Sequence, residues 1–332
     1  MWRWNASVVV LILVLTQGQA SVADDAEPSL VVQQQWTHFE VVLGRITAFH
    51  LRGGQSHCSS SQAPGSSRQS ISVNADPAAL AFRYERFDPQ GSLTIEIANR
   101  AEVEIRQQTQ TKDEQTSILF SQPANGTLRV KINQSGAEHR YAARSLWHLL
   151  LAHPEVSQRH LVPILAVLRP NWRLVERSQQ IEAELFDFTE GRPAISQRDV
   201  MLSVSQLDSG QFSLRQAADR QLRSFGVGIL PYLSKFDAGT LSVEQRLRLK
   251  RIRADLAVPT ADTPERVAAW LSNDNAVWLA LMSDEDPSKR EAATNRLTRI
   301  HPGVIQFDPH AEEAERSKQL VLLRSRLGAA VE

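Results

Sequence analysis

The stretch Ser213–Leu256, SLRQAADRQLRSFGVGILPYLSKFDAGTLSVEQRLRLKRIRADL, decides how the C-terminal half folds. Leu214, Ala217, Ala218, Leu222 and Phe225 recur at the helical period of about 3.6, which predicts a helix with one buried stripe. The small Ala217 and Ala218 let a neighbouring helix come close. Gly226 and Gly228 end this helix. Ile229, Leu230 and Leu233 supply a short second apolar face, with Pro231 near its first turn, where the missing N–H does no harm. Ser242-Val-Glu-Gln245 has the spacing of a capping box and opens a third, strongly basic helix, with Leu249, Ile252 and Leu256 turned inward.

Part of this pattern returns downstream. With Arg215–Leu230 laid over Arg290–Ile305, five of sixteen positions are identical: Arg215/Arg290, Ala217/Ala292, Ala218/Ala293, Leu222/Leu297 and Gly228/Gly303. Four more are conservative: Gln216/Glu291, Phe225/Ile300, Ile229/Val304 and Leu230/Ile305. The matched residues are those a helix pair needs for packing, and such self-similarity marks a repeat architecture. An Arg followed by paired small residues, a Leu, a Gly turn and a short second helix resembles HEAT-type repeats over Ser196–Leu327. The resemblance implies stacked helical hairpins and a protein-binding or scaffolding role, and it carries no catalytic residues. The spacing departs from that family: about 75 residues separate the two copies, against about 40–47 in HEAT repeats.

Punctuation around the central unit predicts further helices. Ser196–Leu207 turns Val200, Val204 and Leu207 inward. Thr263-Pro264, Asp274 and Asp286-Pro287 each read as a helix start, and Ala311–Leu327 is a last helix. Upstream, helical spacing covers Tyr141–Ala152, Val156–Leu168 and Trp172–Phe188, and Pro163 predicts a restart or kink within the second.

Before about residue 132 the period is two. Ile46–Leu51, Ile71–Val73, Leu80–Phe87, Leu93–Ile97, Val103–Ile105, Ser117–Phe120 and Leu128–Ile132 alternate apolar with polar, and turn formers separate them. This predicts an antiparallel β domain, either a sandwich or a curved sheet. Val31–Leu43 fits a helix or a strand equally. Gly53–Ser70, with seven Ser in eighteen residues and few apolar anchors, predicts a long surface loop.

The expected fold class is therefore α+β. Residues 1–23 form a signal peptide, 24–137 a β-rich domain, 138–190 a helical segment and 191–332 a HEAT-like α-helical domain. The signal reading rests on Arg3, the apolar Ala6–Leu15 and the small-x-small sites near Ala20 and Ala23. It predicts export, to a periplasm or the exterior. Cys58 is the only cysteine, so the fold stands on packing rather than on an internal disulfide.

The 37 basic and 37 acidic side chains cancel, so total charge does not point to nucleic acid as a partner. Local charge is uneven. Ser213–Leu256 holds nine basic and four acidic residues, while Asp284–Glu315 holds four basic and eight acidic.

Chemical motifs are thin. His57-Cys58 lies in the Ser-rich stretch without an ordered base. His148, His153 and His160 lack the i,i+4 spacing of a metal-binding helix. Asp284-Glu-Asp286 sits at a helix start, where negative charge suits the dipole. The expectation is a non-catalytic protein without cofactor or metal, whose helical-repeat surface binds another protein. An alternative is binding of an anionic envelope polymer or lipid headgroup through Arg246, Arg248, Lys250, Arg251 and Arg253 on residues 242–256. A second alternative is an enzyme whose site is scattered in sequence.

Overall fold

The alternation of the N-terminal half becomes one face of a single large sheet. The computed structural model describes residues 30–33, 37–50, 54–61, 67–75, 80–111, 114–190, 195–234, 236, 239–257 and 260–327. The expected signal segment 1–23 lies outside the described residues. Strands β1 (Thr37–Val42) and β2 (Arg45–His50) make an antiparallel hairpin. Strands β3 (Gly54–Ser61), β4 (Arg68–Ala75), β5 (Leu80–Asp88), β6 (Gly91–Ala98), β7 (Glu102–Gln110), β8 (Gln115–Gln122), β9 (Leu128–Gln134) and β10 (Ala137–Ala143) follow as an eight-stranded antiparallel meander.

Register turns the alternation into a wall. Ile71, Tyr84, Ile95, Ile105, Phe120 and Val130 lie directly opposite one another across six strands, and all are buried. The other face is charged and laced with cross-strand pairs such as Arg83–Glu96 at 3.0 Å and Lys131–Glu138 at 2.6 Å. The β1–β2 hairpin lies against the apolar face. Phe39 meets Phe82 edge to face with 5.0 Å between ring centres. Buried Gln122 accepts from the Ile46 N–H at 2.9 Å and donates to the Ile46 and Ala101 carbonyls, so one amide ties the two layers. The second layer is thus a two-stranded hairpin rather than a second large sheet.

Three expectations change here. Gly53–Ser70 was expected to be a loop; instead it contributes β3, the last strand of the sheet, with Cys58 opposite Ile71 in the register. Backbone pairing at a sheet edge needs no apolar side chain, and β4 supplies the buried Ile71 and Val73. Residues 62–66 lie outside the described residues. Tyr141–Ala143 belong to β10, not to a helix, because Ser135 and Gly136, with φ of 50° and 87°, form the two-residue turn that returns the chain onto β9. The sheet therefore runs past the boundary expected at 137. Val31–Leu43 divides into a short helix, α1 (Leu30–Gln33), and β1.

The helices follow the punctuation. They are α2 (Leu146–Ala152), α3 (Pro154–Val156), α4 (Val162–Ala166), α5 (Leu174–Glu190), α6 (Gln197–Gln206), α7 (Phe212–Ser224), α8 (Leu230–Leu233), α9 (Val243–Leu256), α10 (Pro264–Leu271), α11 (Asn275–Leu281), α12 (Pro287–Ile300) and α13 (Glu313–Arg326). Ser145, Ser196, Ser242, Thr263, Asp274 and Asp286 each cap a helix with a side-chain oxygen. Ser242 and Gln245 form the full capping box. Pro163 sits in the first turn of α4, just after a π-helical turn at Ser157–Leu161, where the expected restart occurs.

Two cores result. The sheet, the β1–β2 hairpin, α2, α5 and the C-terminal helices α10–α13 share one. Helices α6, α7, α8 and α9 form a lobe around another: Val200, Val204, Leu207, Ala218, Leu222, Ile229, Leu233, Leu249 and Ile252. The two copies of the repeated pattern fall on opposite sides of this division, with Leu222 in the lobe and Leu297 in the main core. Internally they match. In each, a buried C-cap residue (Leu207, Met282) precedes a second helix with a buried Ala and Leu (Ala218 and Leu222, Ala293 and Leu297). In each, the Arg early in that helix reaches back six residues: Arg215 Nη1 donates to the Ser209 carbonyl at 2.7 Å, and Arg290 Nη1 to the Asp284 carbonyl at 2.9 Å. After α7 the chain makes a 3-10 turn and α8, whereas residues 301–312 after α12 are turns and irregular chain.

One close approach is testable. Gly44 has φ +67°, and a Cβ there would lie 2.5 Å from the Ser145 Cβ. Gly44→Ala combines left-handed strain with overpacking and should cost about 3 kcal/mol or more in urea denaturation. Gly126→Ala, with φ +95° and nothing within 4 Å, should cost about 1 kcal/mol.

Candidate functional site

The most concentrated buried polar chemistry lies where the β1–β2 turn, the start of α2 and the α10–α11 turn meet. Leu43 and Gly44 both have positive φ, which directs their N–H groups the same way. Asp262 receives both, at 2.7 Å each, and also the Trp147 indole N–H at 2.7 Å. Its own N–H donates to the Val41 carbonyl at 2.8 Å. Burial pushes the Asp262 pKa above its ordinary value. The three hydrogen bonds and the charge of Arg266 offset only part of that rise.

Beside it is a Ser–His–Asp constellation. Ser145 Oγ lies 2.7 Å from His148 Nδ1, and His148 Nε2 lies 3.2 Å from Asp274 Oδ2. Asp274 also caps α11 through the Ala276 N–H at 2.9 Å and meets Arg144 Nη1 at 3.2 Å. Burial opposes its ionisation. The charge and hydrogen bond of His148, the charge of Arg144 and the Ala276 N–H outweigh burial, and hold the Asp274 pKa well below the ordinary carboxylate range.

These distances are those of a nucleophile, a base and an orienting acid. The surroundings differ from those of a hydrolase. A serine hydrolase places its hydroxyl on Nε2 and its carboxylate on Nδ1, and here the two nitrogens are exchanged. Ser145 is 1% exposed, packed against Gly44 and Trp147, and its Oγ also takes the His148 backbone N–H as the α2 cap. As built, the constellation fastens two helix starts together.

The network continues into the lobe. Arg296, 2% exposed, donates to the Ser272 carbonyl and to Asn273 Oδ1 at 3.1 Å each. Asn273 Oδ1 also accepts the Ile195 N–H, and the Tyr232 hydroxyl donates to the Ile195 carbonyl at 3.0 Å. Burial pushes Tyr232 up to about 12. Gly228 fits under the Ala269 carbonyl, which would lie 2.8 Å from a Cβ there.

The five basic residues singled out on α9 do not share a face. Arg253 turns inward and donates to the Leu233 carbonyl, and burial lowers its pKa. Arg248 pairs with Glu244 one turn back, at 2.6 Å. Arg246, Lys250 and Arg251 are exposed. Lys250 and Arg251 share the outward side of α9 with Val243 and Leu247, which are 63% and 60% exposed. This second apolar stripe, opposite Leu249 and Ile252, is a feature that the sequence reading missed; its signal was Val243 and Leu247 four residues apart among charges. Six of the eleven large apolar side chains exposed among the described residues belong to the lobe: Met201, Leu202, Phe212, Leu214, Val243 and Leu247.

Elsewhere, a cleft of about 390 Å³ is lined by Gln306, Phe307, Asp308, Gln319, Leu322, Leu323 and Arg326. No group of His, Cys, Asp and Glu suited to a metal ion occurs among the described residues. The side chains of His57 and Cys58 lie outside them. No helix among the described residues is long and apolar enough to cross a membrane. No family model and no curated protein sequence matches the chain.

The Asp274 cluster predicts an acid dependence with a defined sign. Its folded pKa lies below the ordinary 3.8, so its stabilisation is present above about pH 4 and is lost as pH falls toward the folded value. Asp274→Asn should lower stability at neutral pH by about 3 kcal/mol. Urea denaturation from pH 6 to pH 2 should show a shallower acid loss in the variant, whereas an unchanged slope would remove Asp274 as its source. Asp262 works in the opposite direction, because its raised pKa erodes stability as pH rises past 3.8.

Proposed function

We propose that this chain is an exported, non-catalytic scaffold that binds another protein through the outer surface of the α6–α9 lobe. The observation that carries the reading is the concentration of exposed Met201, Leu202, Phe212, Leu214, Val243 and Leu247 on one lobe. Apolar clusters set among polar residues mark interaction surfaces. The Gln245 side chain donates to the Val204 carbonyl, which puts the start of α9 at the α6–α7 turn. Val243 and Leu247 thus lie near the C-terminal end of α6, and Phe212 and Leu214 open α7, which follows it. Exposed Arg198, Arg220, Arg246, Lys250 and Arg251 outnumber exposed Asp199, Asp208 and Asp255 on the lobe. The complementary partner is a protein surface with apolar side chains among acidic ones.

Other features support parts of this reading. The repeated Arg215 and Arg290 contacts favour a HEAT-like helix pair used twice. The apolar Ala6–Leu15 and the small residues after it favour export. The sealed Ser145 hydroxyl favours a structural rather than a catalytic role for the Ser–His–Asp cluster. Binding of a polyanion through α9 is less favoured, because Arg248 and Arg253 are engaged within the lobe and the outward face is half apolar.

A photocrosslinking residue in place of Leu247, in cells that make the protein, should give a protein adduct. The same residue in place of exposed Arg106, on the outer sheet face, should give none. A lipid or glycan adduct at 247, or equal adducts at both positions, would overturn the reading. Leu247→Asp should abolish the adduct formed from a crosslinker at position 243, and should move stability by about 0.5 kcal/mol or less. Native protein should leave a fluorophosphonate probe unreacted, and labelling of Ser145 would remove the non-catalytic assignment.

A further inference from the structure

We propose that the protein received by the lobe is a second copy of this chain, docked head to tail through the acidic surface at α12 and α13. The proposal rests on the reading of the lobe as the binding surface and names its occupant. The complementary surface is built by one buried side chain. Arg290, 5% exposed, donates through Nη1 to the Asp284 and Glu285 carbonyls and through Nε to the Pro309 carbonyl at 2.7 Å. That fork holds the α11–α12 turn beside the segment leading into α13. It sets Glu285 and Asp286 near Asp308, Glu312, Glu313 and Glu315, all of them exposed.

Apolar groups accompany this charge as they do on the lobe. Val304, Val321 and Leu322 are exposed, and Leu322 with Phe307 lines the cleft that Asp308 borders. Arg316, Lys318, Arg324 and Arg326 lie on the same helix, and Arg326 lines the cleft beside Leu322. Arg316 is turned back onto the Ala311 carbonyl, and Lys318 pairs with Glu315 at 3.7 Å. One surface therefore carries exposed apolar groups with Lys250 and Arg251 beside them, and the other carries the carboxylates of 285–286, 308 and 312–315 beside exposed Val304 and the cleft. Both stand exposed in the single chain, so neither covers the other within one copy.

Two different surfaces that complement each other make a heterologous contact, which closes a ring or extends a chain of copies. Exposed charges of opposite sign at its rim make association sensitive to ionic strength.

The test is sedimentation velocity on the purified full-length chain across the micromolar range, at low and at high salt. Concentration-dependent assembly that weakens with salt is expected. Lys250→Glu with Arg251→Glu should weaken it about tenfold or more, and so should Glu312→Lys with Glu313→Lys. All four positions are exposed, and unchanged urea midpoints confirm that the variants fold. An equimolar mixture of the two double variants should restore assembly, because each reversed lobe then faces a reversed acidic surface. A wild-type chain that stays monomeric, an assembly indifferent to both variants, or a mixture that stays apart would overturn the proposal. A monomeric chain whose Leu247 position still crosslinks to a different protein removes the second copy and leaves the lobe reading standing. A monomeric chain with no protein adduct at 247 removes both.

Discussion

The carboxylate of Asp262 holds three parts of the chain that are far apart in sequence. It takes the N–H groups of Leu43 and Gly44 at the hairpin turn and the indole N–H of Trp147 on α2, the first helix after the sheet, while its backbone leads into α10. A left-handed two-residue turn leaves its N–H groups without ladder partners, and burial makes such orphan donors costly. A buried carboxylate is costly as well. Each offsets the other's penalty, so the turn, the Trp147 side chain and residue 262 are positioned together. The sheet, the hairpin and the C-terminal helices consequently share one core.

Next to that clamp, Ser145, His148 and Asp274 show how far local geometry underdetermines chemistry. Donor and acceptor distances match those of a catalytic relay. Exposure separates the two roles, since a hydroxyl that caps a helix beneath a glycine turn has no room for a substrate. The same side chains satisfy orphan N–H groups at the starts of α2 and α11. This junction also reaches the lobe through Asn273, Arg296 and Tyr232, so the surface carried by α6–α9 is presented on a fixed support.

Much of the fold was legible because it is periodic or capped. Alternation located the strands from β4 to β9, and Ser242, Thr263, Asp274 and Asp286 marked helix starts where the structure has them. Edge strand β3 was not legible, because strand pairing is a backbone property and GQSHCSSS carries no apolar alternation. Tyr141–Ala143 misled because Ala142, Leu146 and Leu149 keep helical spacing across a strand end and a cap. The five basic residues of α9 were legible as a charge run but not as a face, since positions 246, 248, 250, 251 and 253 point around the whole helix.

The residue order alone determined that this chain is an antiparallel β region followed by capped helices, and that an Arg–Ala–Leu helix pattern occurs twice. Those features depend on neighbours within a turn or two of backbone, where hydrogen bonding and side-chain period act. Only the tertiary structure decided that Leu222 and Leu297 belong to different cores, that Asp262 fastens a turn more than two hundred residues away (|i−j| = 219 to Leu43), and that Val243 and Leu247 remain outside. Which apolar stripe is covered depends on what the rest of the chain brings against it, and burial is a property of that assembly rather than of the helix.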